Sequence, residues 1–267
     1  MKYKLICMDI DGTLLDDDKK LLPQVKQSLL DVAKKGVYIA LASGRMPAGV
    51  DNIEKELGIQ CIKICNAGTY TILDNECIAA EYLSLSVMEN IYKEFAEKNN
   101  IPLWIFKEQE WFVTGVDKYV EREISIIHHQ PQIVKMEDII KKWTDEKIYP
   151  NKLLIASNPE MIQKIYKQIK QKMDIDIACS SPTFIEIFSK GVSKGTALQN
   201  VCNKLNIDIK DSIAFGDQEL DISMIEAAGV GIAMGNAIQE LKEKADFITK
   251  TNNEAGIAYA LEYYFRE

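Results

Sequence analysis

Two pairs of acidic residues could carry chemistry in this sequence. Asp9 and Asp11 lie in Asp9-Ile10-Asp11-Gly12-Thr13-Leu14, immediately after the apolar run Leu5-Ile-Cys-Met8. On extended backbone, residues two apart project to the same side, so these carboxylates can converge on one ligand. Asp217 and Asp221 follow a second apolar run in Gly216-Asp217-Gln218-Glu219-Leu220-Asp221. Gly216 marks a tight strand exit, and Asp217 falls at a helix start, where aspartate also serves as a plain N-cap. Two carboxylates 4 Å apart repel by about 4 kcal/mol at an effective dielectric of 20, so a fold that joins the pairs needs a cation. Oxygen donors without His or Cys select Mg²⁺ over zinc, and Mg²⁺ keeps several waters beside one or two carboxylates and a substrate phosphate.

Other residues suit an anion. Ser43-Gly44-Arg45 ends an apolar strand just before a helix, offering a hydroxyl and backbone amides to a phosphate. Lys194 opens a helix, where its charge opposes the helix dipole; either it is an ordinary surface lysine or it has another use. Asn66 and Asn236 also follow apolar strands, a position where asparagine commonly caps a turn or helix.

These side chains need elements to hold them. The run 4–8 reads as a strand buried on both faces. A helix from near Pro23 puts Val25, Leu29, Leu30 and Val32 on one side and ends at Gly36, before a strand over 37–42. A helix over 48–57 then leads through Gly58 to a strand over 61–65, an alternation that implies a parallel sheet with right-handed crossovers. Near residue 70 the rhythm changes to a hairpin around Asp74-Asn75. Helices are predicted over 86–98 and 158–171, with strands over 101–106, 110–114, 152–156, 175–180 and 184–188. From Ser193 the alternation resumes: helix 193–205, strand 212–215, helix 218–227, strand 229–233 and helices 237–244 and 254–265. The expectation is an α/β protein: a doubly wound, Rossmann-like core of 1–81 plus 189–267, interrupted by an α+β insertion over 82–188.

Composition narrows the function classes. The chain has 267 residues, 47% hydrophobic and 27% charged. That balance is globular rather than disordered or fibrous. A net charge of −8, from 32 Lys plus Arg and 40 Asp plus Glu, argues against a nucleic-acid partner. No stretch approaches the roughly 18 apolar residues of a membrane span, and Asp9 and Asp11 cut short any signal-peptide core, so a cytoplasmic protein without membrane contact is expected. Cysteines 7, 61, 65, 77, 179 and 202 form no CxxC pair and read as small buried hydrophobes in a reducing compartment.

Taken in order, Asp9-x-Asp11-Gly-Thr-Leu, Ser43-Gly-Arg, Lys194-Gly and Gly216-Asp217 with Asp221 resemble the haloacid dehalogenase superfamily, within it the Cof-type phosphatases with a large class IIB cap. The likeness spans nearly the whole chain, including Ala245–Thr249 and Asn252–Gly256. It implies that Asp9 attacks phosphorus to form an aspartyl-phosphate, while Asp11 protonates the leaving alcohol and then activates water, best if kept partly protonated. It further implies Mg²⁺ on the Asp9 carboxylate, the Asp11 main-chain carbonyl and Asp217, with Asp221 acting through water or by orienting Asp217. Ser43 with the amides of Ile10 and Gly44 would hold phosphate oxygens, and Lys194 would offset the charge on Asp9 and the phosphoryl group.

The chain departs from this family at Gln218 and Leu220, where asparagine is common, and Asn236 is expected to supply a substitute amide to the phosphate. Asn66-Ala67-Gly68 replaces the usual Asn-Gly-Ala, read as a harmless exchange. In such proteins the insertion sets specificity. Its Trp104, Trp111 and Trp143 read as packing, His128 and His129 as surface or turn residues, and Arg122 and Lys135 as loose candidates for a second anionic group. The function expected is Mg²⁺-dependent hydrolysis of small phosphorylated metabolites by a monomer or weak homodimer. The alternatives are a phosphomutase or phosphotransferase of the same fold, and a low-turnover phospho-switch or binding protein.

Overall fold

Leu5–Met8 (β1) is buried at all four positions, as a strand covered on both faces must be. The computed structural model describes residues 2–266, and the chain divides into two compact units. The first takes in the chain up to Arg45, Gly49–Ala79 and the chain from Ser193 onward; the second takes in Met46–Ala48 and Ala80–Val192.

In the first unit, β1 is followed by α1 (Pro23–Lys34), β2 (Tyr38–Ala42), α2 (Pro47–Leu57), β3 (Ile62–Cys65), β4 (Tyr70–Leu73) and β5 (Glu76–Ala80). Val25, Leu29 and Val32 are the buried face of α1, and Pro23 supplies the fixed φ that suits a first helical turn. Asp74 and Asn75 turn the β4–β5 hairpin with φ of 52° and 63°. This is the left-handed pair that a tight two-residue hairpin requires.

The second unit contains α3 (Leu85–Ile91), β6 (Leu103–Lys107), β7 (Glu110–Val113), α4 (Lys118–Ile127), β8 (Gln132–Ile133), α5 (Met136–Glu146), β9 (Lys152–Ala156), α6 (Pro159–Lys172), β10 (Asp176–Ser181) and β11 (Phe184–Phe188). Its six strands lie in the order β10-β11-β9-β6-β7-β8. They pair antiparallel except for β7 with β8. One face, with Leu103, Ile105, Leu153 and Ile187, packs against Met88, Ile139 and Ile165 of α3, α5 and α6. The three tryptophans are packing residues: Trp143 meets Phe112 edge-on at 5.3 Å, and Trp104 lies 5.1 Å from Trp111 on the opposite face. His128 closes α4 in the left-handed conformation.

The chain returns to the first unit with α7 (Lys194–Leu205), β12 (Ser212–Gly216), α8 (Ile222–Ala227), β13 (Val230–Ala233), α9 (Gln239–Lys244), β14 (Phe247–Ile248) and α10 (Gly256–Tyr264). The eight-stranded sheet runs β14-β13-β12-β1-β2-β3-β4-β5. All pairings from β14 to β3 are parallel, so this is the α/β core expected. From β1 the chain first builds one side of the sheet and later, through β12, the other. The ends of β1 and β12 are therefore the switch point where open α/β sheets collect ligands.

Four differences from the sequence expectations stand out. Helices α4 and α5 form where no element was predicted. The helix predicted over 86–98 is α-helical only to Ile91, then runs through a π turn and a 3-10 turn to Asn100 at φ 54°. A short strand, β14, adds an edge to the core sheet. Cys77 is exposed rather than buried, because β5 leaves its side chain uncovered; all six cysteines are free thiols.

Candidate active site

Strand β1 delivers Asp9 to its carboxyl end, where the Asp9 amide donates to the Phe215 carbonyl at 3.0 Å and ties β1 to β12. Gly216 and Asp217 continue from β12, and Lys194 comes from the first residue of α7, behind the Ser193 N-cap. Lys194 is no surface lysine: it is 2% exposed. Its Nζ donates to Asp9 Oδ1 and Asp221 Oδ1, both at 2.6 Å. A buried ammonium costs too much without partners, so the two carboxylates that the fold brings here explain its position at a dipole-unfavourable helix start.

Asp9, Asp217 and Asp221 each offer an oxygen within 4.8 Å of the others. Thr13 Oγ1 donates to Asp217 Oδ1 and Gln218 Nε2 to Asp217 Oδ2, both at 2.8 Å. Asp221 Oδ2 accepts from the backbone amides of Asp217 and Gln218 at 2.9 and 3.0 Å. With Oδ1 on Lys194, both Asp221 oxygens are engaged. Gly12 sits at φ +90°, and a Cβ there would lie 2.5 Å from Asp217 Oδ2; only glycine permits this approach.

Three carboxylates against one ammonium leave two uncompensated negative charges. Burial, reinforced by Asp221, Asp217 and Asp11, pushes the Asp9 carboxyl well above the usual carboxylate range despite the pull of Lys194. Burial and the Asp221 charge push Asp217 up to about 6. Burial alone would lower Lys194, but Asp221 and Asp9 hold it above the ordinary lysine range. The excess charge and all-oxygen donor set fit a hard divalent cation.

Asp11 stands apart from this cluster. Its carboxylate accepts from Arg45 Nε at 2.7 Å and Nη2 at 2.8 Å, and pairs with Lys19 Nζ at 2.9 Å. Burial would raise it, but the Arg45 bonds and charge, with Lys19, outweigh burial and hold it at about 2. The two cations thus favour the ionised form of Asp11, the opposite of the partly protonated state that would best suit an acid.

The anion-binding candidates also find places. Ser43 ends the buried run after β2, and its hydroxyl oxygen accepts the Arg45 amide at 3.1 Å. Behind it, the amides of Asn66 and Ala67 donate to the Arg45 and Ser43 carbonyls at 2.9 and 3.0 Å. Ile10 and Gly44 lie in the turns that follow β1 and β2. Asn236 is used differently from the expectation of a phosphate contact: its Nδ2 donates to the Gly12 carbonyl at 2.8 Å, while its Oδ1 accepts the Asn252 amide at 3.0 Å. Leu220 is half-buried in the turn before α8 and carries no polar group. Arg122 and Lys135 are exposed residues of the second unit. Sequence reasoning missed Arg45, Lys19, Thr13 and Gln218 as partners of the acids, although all but Lys19 lie within the motifs themselves.

Residues 6–261 match the haloacid dehalogenase-like hydrolase family. The chain belongs to that family. "Putative phosphatase YkrA" of Bacillus subtilis (strain 168) is 32% identical over 98% of both chains. "5-amino-6-(5-phospho-D-ribitylamino)uracil phosphatase YcsE" of the same organism is 26% identical over 98% of this chain and 95% of its own. The crystal structure of a haloacid dehalogenase-like hydrolase from Bacteroides thetaiotaomicron superposes with a TM-score of 0.85 at 28% identity, covering 98% of this chain and 100% of that one. The protein is thus a phosphatase of the haloacid dehalogenase superfamily, as the ordered motifs implied. Among the described residues, no helix is long and apolar enough to cross a membrane.

Proposed function

We propose that the protein is a Mg²⁺-dependent phosphomonoesterase for small phosphorylated metabolites, working through an aspartyl-phosphate on Asp9. The observation that carries this reading is the buried cluster in which Lys194 pairs with Asp9 and Asp221 beside Asp217, so that three carboxylates gather around one ammonium at the switch point of the sheet. Asp9 and Asp217, with the Asp11 main-chain carbonyl, would hold Mg²⁺, which supplies charge neutralisation to the transferring phosphoryl group. The second unit is read as the cap, so specificity is assigned to it. YcsE, named for a phosphorylated ribityl compound, supports a small sugar-like substrate class. Free, mostly buried thiols suit the cytoplasm.

Asp9 Oδ1 is fixed by Lys194, which leaves Oδ2 to attack phosphorus. The new Oδ2–P bond forms as the ester P–O bond breaks, and the departing oxygen takes a proton from Asp11. In the second step Asp11 accepts a proton from water, the resulting hydroxide oxygen bonds to phosphorus, and the Asp9–P bond breaks to regenerate the carboxylate and inorganic phosphate. Asp11 paired with Arg45 and Lys19 is in the proton-accepting form. When those cations shift toward an incoming anion, Asp11 takes up a proton from solvent, and this is the proton it gives to the departing oxygen. Ser43 and the amides of Ile10 and Gly44 would hold the phosphoryl oxygens.

The test is phosphate release from p-nitrophenyl phosphate and a panel of sugar phosphates, with and without Mg²⁺, for wild type and Asp9→Asn. Mg²⁺-dependent release that vanishes in the variant is expected. Release that persists in a folded Asp9→Asn protein overturns the covalent mechanism.

A further inference from the structure

Resting on the Mg²⁺ reading above, we infer that Asn236 is a positioning residue for the metal site, acting on Asp217 through the Gly12–Thr13 peptide. Asn236 lies in the loop after β13, which touches both acid-bearing loops. The Ile238 amide donates to the Asp217 carbonyl at 2.9 Å on one side, and Asn236 Nδ2 donates to the Gly12 carbonyl at 2.8 Å on the other. Gly12 O and the Thr13 amide belong to one planar peptide, so a bond that fixes the first fixes the orientation of the second. Thr13 is 2% exposed, and its hydroxyl donates to Asp217 Oδ1. The path from Asn236 to a proposed metal-binding carboxylate is therefore one hydrogen bond, one rigid peptide, the buried Thr13 side chain and one more hydrogen bond.

Asn236 is itself held. Its Oδ1 accepts the Asn252 amide, which fixes the amide flip so that nitrogen faces Gly12. Asn252, 3% exposed, extends the clasp along the same loop: its Nδ2 donates to the Leu15 carbonyl at 3.0 Å and to Asp17 Oδ1 at 3.1 Å. Asn253 completes an outer ring, exchanging bonds with Asp17 through its Nδ2 and Oδ1. The inner link ends on Gly12 and Thr13; the outer ring ends on the surface of the loop. Outer partners that orient a metal-binding group commonly change metal affinity by roughly 10–100-fold when removed.

The experiment compares wild type, Asn236→Asp and Asn253→Ala by calorimetric titration with Mg²⁺ alone, with thermal unfolding and steady-state kinetics alongside. Asn236→Asp keeps the side-chain volume and the acceptor for Asn252 but loses the donor to Gly12, and titration in about 1 M salt screens the charge it adds at this exposed position. About tenfold weaker Mg²⁺ binding is expected in Asn236→Asp, with KM for p-nitrophenyl phosphate within twofold at saturating Mg²⁺. Asn253→Ala, which cuts only the outer ring, should bind Mg²⁺ as wild type does. Equal Mg²⁺ affinity in wild type and Asn236→Asp overturns this inference while leaving the metal reading in place; equal weakening in both variants overturns it too, by showing general loosening. Absence of Mg²⁺ binding in the wild type overturns the metal reading and the inference together.

Discussion

Removing the Arg45 guanidinium is expected to release Asp11 as an acid. Arg45 makes two bonds to this carboxylate at 2.7 and 2.8 Å, and Lys19 one contact at 2.9 Å. Burial acts the other way, so the value of about 2 marks a contest that the cations win. In Arg45→Ala only Lys19 remains, with 56% of its side chain exposed. Its attraction is screened by solvent and salt. Asp11 should return at least to the ordinary value of about 3.9, a rise of about two units. Because the native value is depressed, the pair contributes stability that is fully present above about pH 4 and is lost as pH falls toward 2. Two units correspond to about 2.7 kcal/mol. The Asp11 side chain is 38% exposed. Screening at that exposure reduces the expected contribution to about 1 kcal/mol. Carbon-13 titration of the Asp11 carboxyl in wild type and Arg45→Ala reads the first quantity, and urea unfolding at pH 7 and below pH 4 reads the second. The variant should lose about 1 kcal/mol at pH 7, with the gap narrowing in acid. An Asp11 that still titrates near 2 in the variant would refute the claim that Arg45 sets its ionisation.

Two more outcomes follow from the same site and the loop beside it. Asp217, raised to about 6, binds a proton in the native metal-free state that the unfolded chain releases near pH 4, so metal-free stability should fall between about pH 4 and 6. Mg²⁺ should then raise the unfolding temperature more at pH 7 than at pH 5; an equal or larger rise at pH 5 contradicts the assignment. Ala67 occupies the left-handed region at φ 62° and ψ 25°, a cost of about 1–2 kcal/mol for an L-residue. Ala67→Gly should relieve it, less about 0.5–1 kcal/mol of added chain entropy and about 0.8 kcal/mol for the buried methyl it removes, leaving the midpoint within about two degrees of wild type. A midpoint lower by more than about four degrees shows that the loop is not strained.

What the sequence made legible, and what it hid, divides by the range of the interaction. Strands β1, β2, β3 and β12 announce themselves by short apolar runs, and the Asp74-Asn75 turn by its local backbone demand; each is decided within a few residues. Helices α4 and α5 carried equally local signals: Asp117 caps α4, accepting the Tyr119 and Val120 amides at 3.0 Å, and Met136, Ile139 and Trp143 recur at helical spacing along α5. The exchange at Ala67-Gly68 looked neutral because composition does not reveal φ, yet Ala67 must take the left-handed conformation while a Cβ on Gly68 would meet the Ser193 carbonyl at 2.5 Å. Harder to read were pairings set by tertiary closure. Asp11 and Arg45 are 34 positions apart, Asn236 and Gly12 are 224 apart, and Lys194 meets Asp9 across 185. Motif order could nominate Asp9, Asp11 and Lys194, since a site at a sheet switch point draws on the residues that end its strands. The family resemblance also set Lys194 against Asp9, but nothing in it said which cations meet Asp11. That choice matters chemically: Lys194 facing Asp9 leaves Asp11 to Arg45 and Lys19, so the proposed nucleophile and the proposed proton carrier are charge-balanced by separate groups, and an anion that attracts Arg45 changes Asp11 without disturbing the lysine that fixes Asp9.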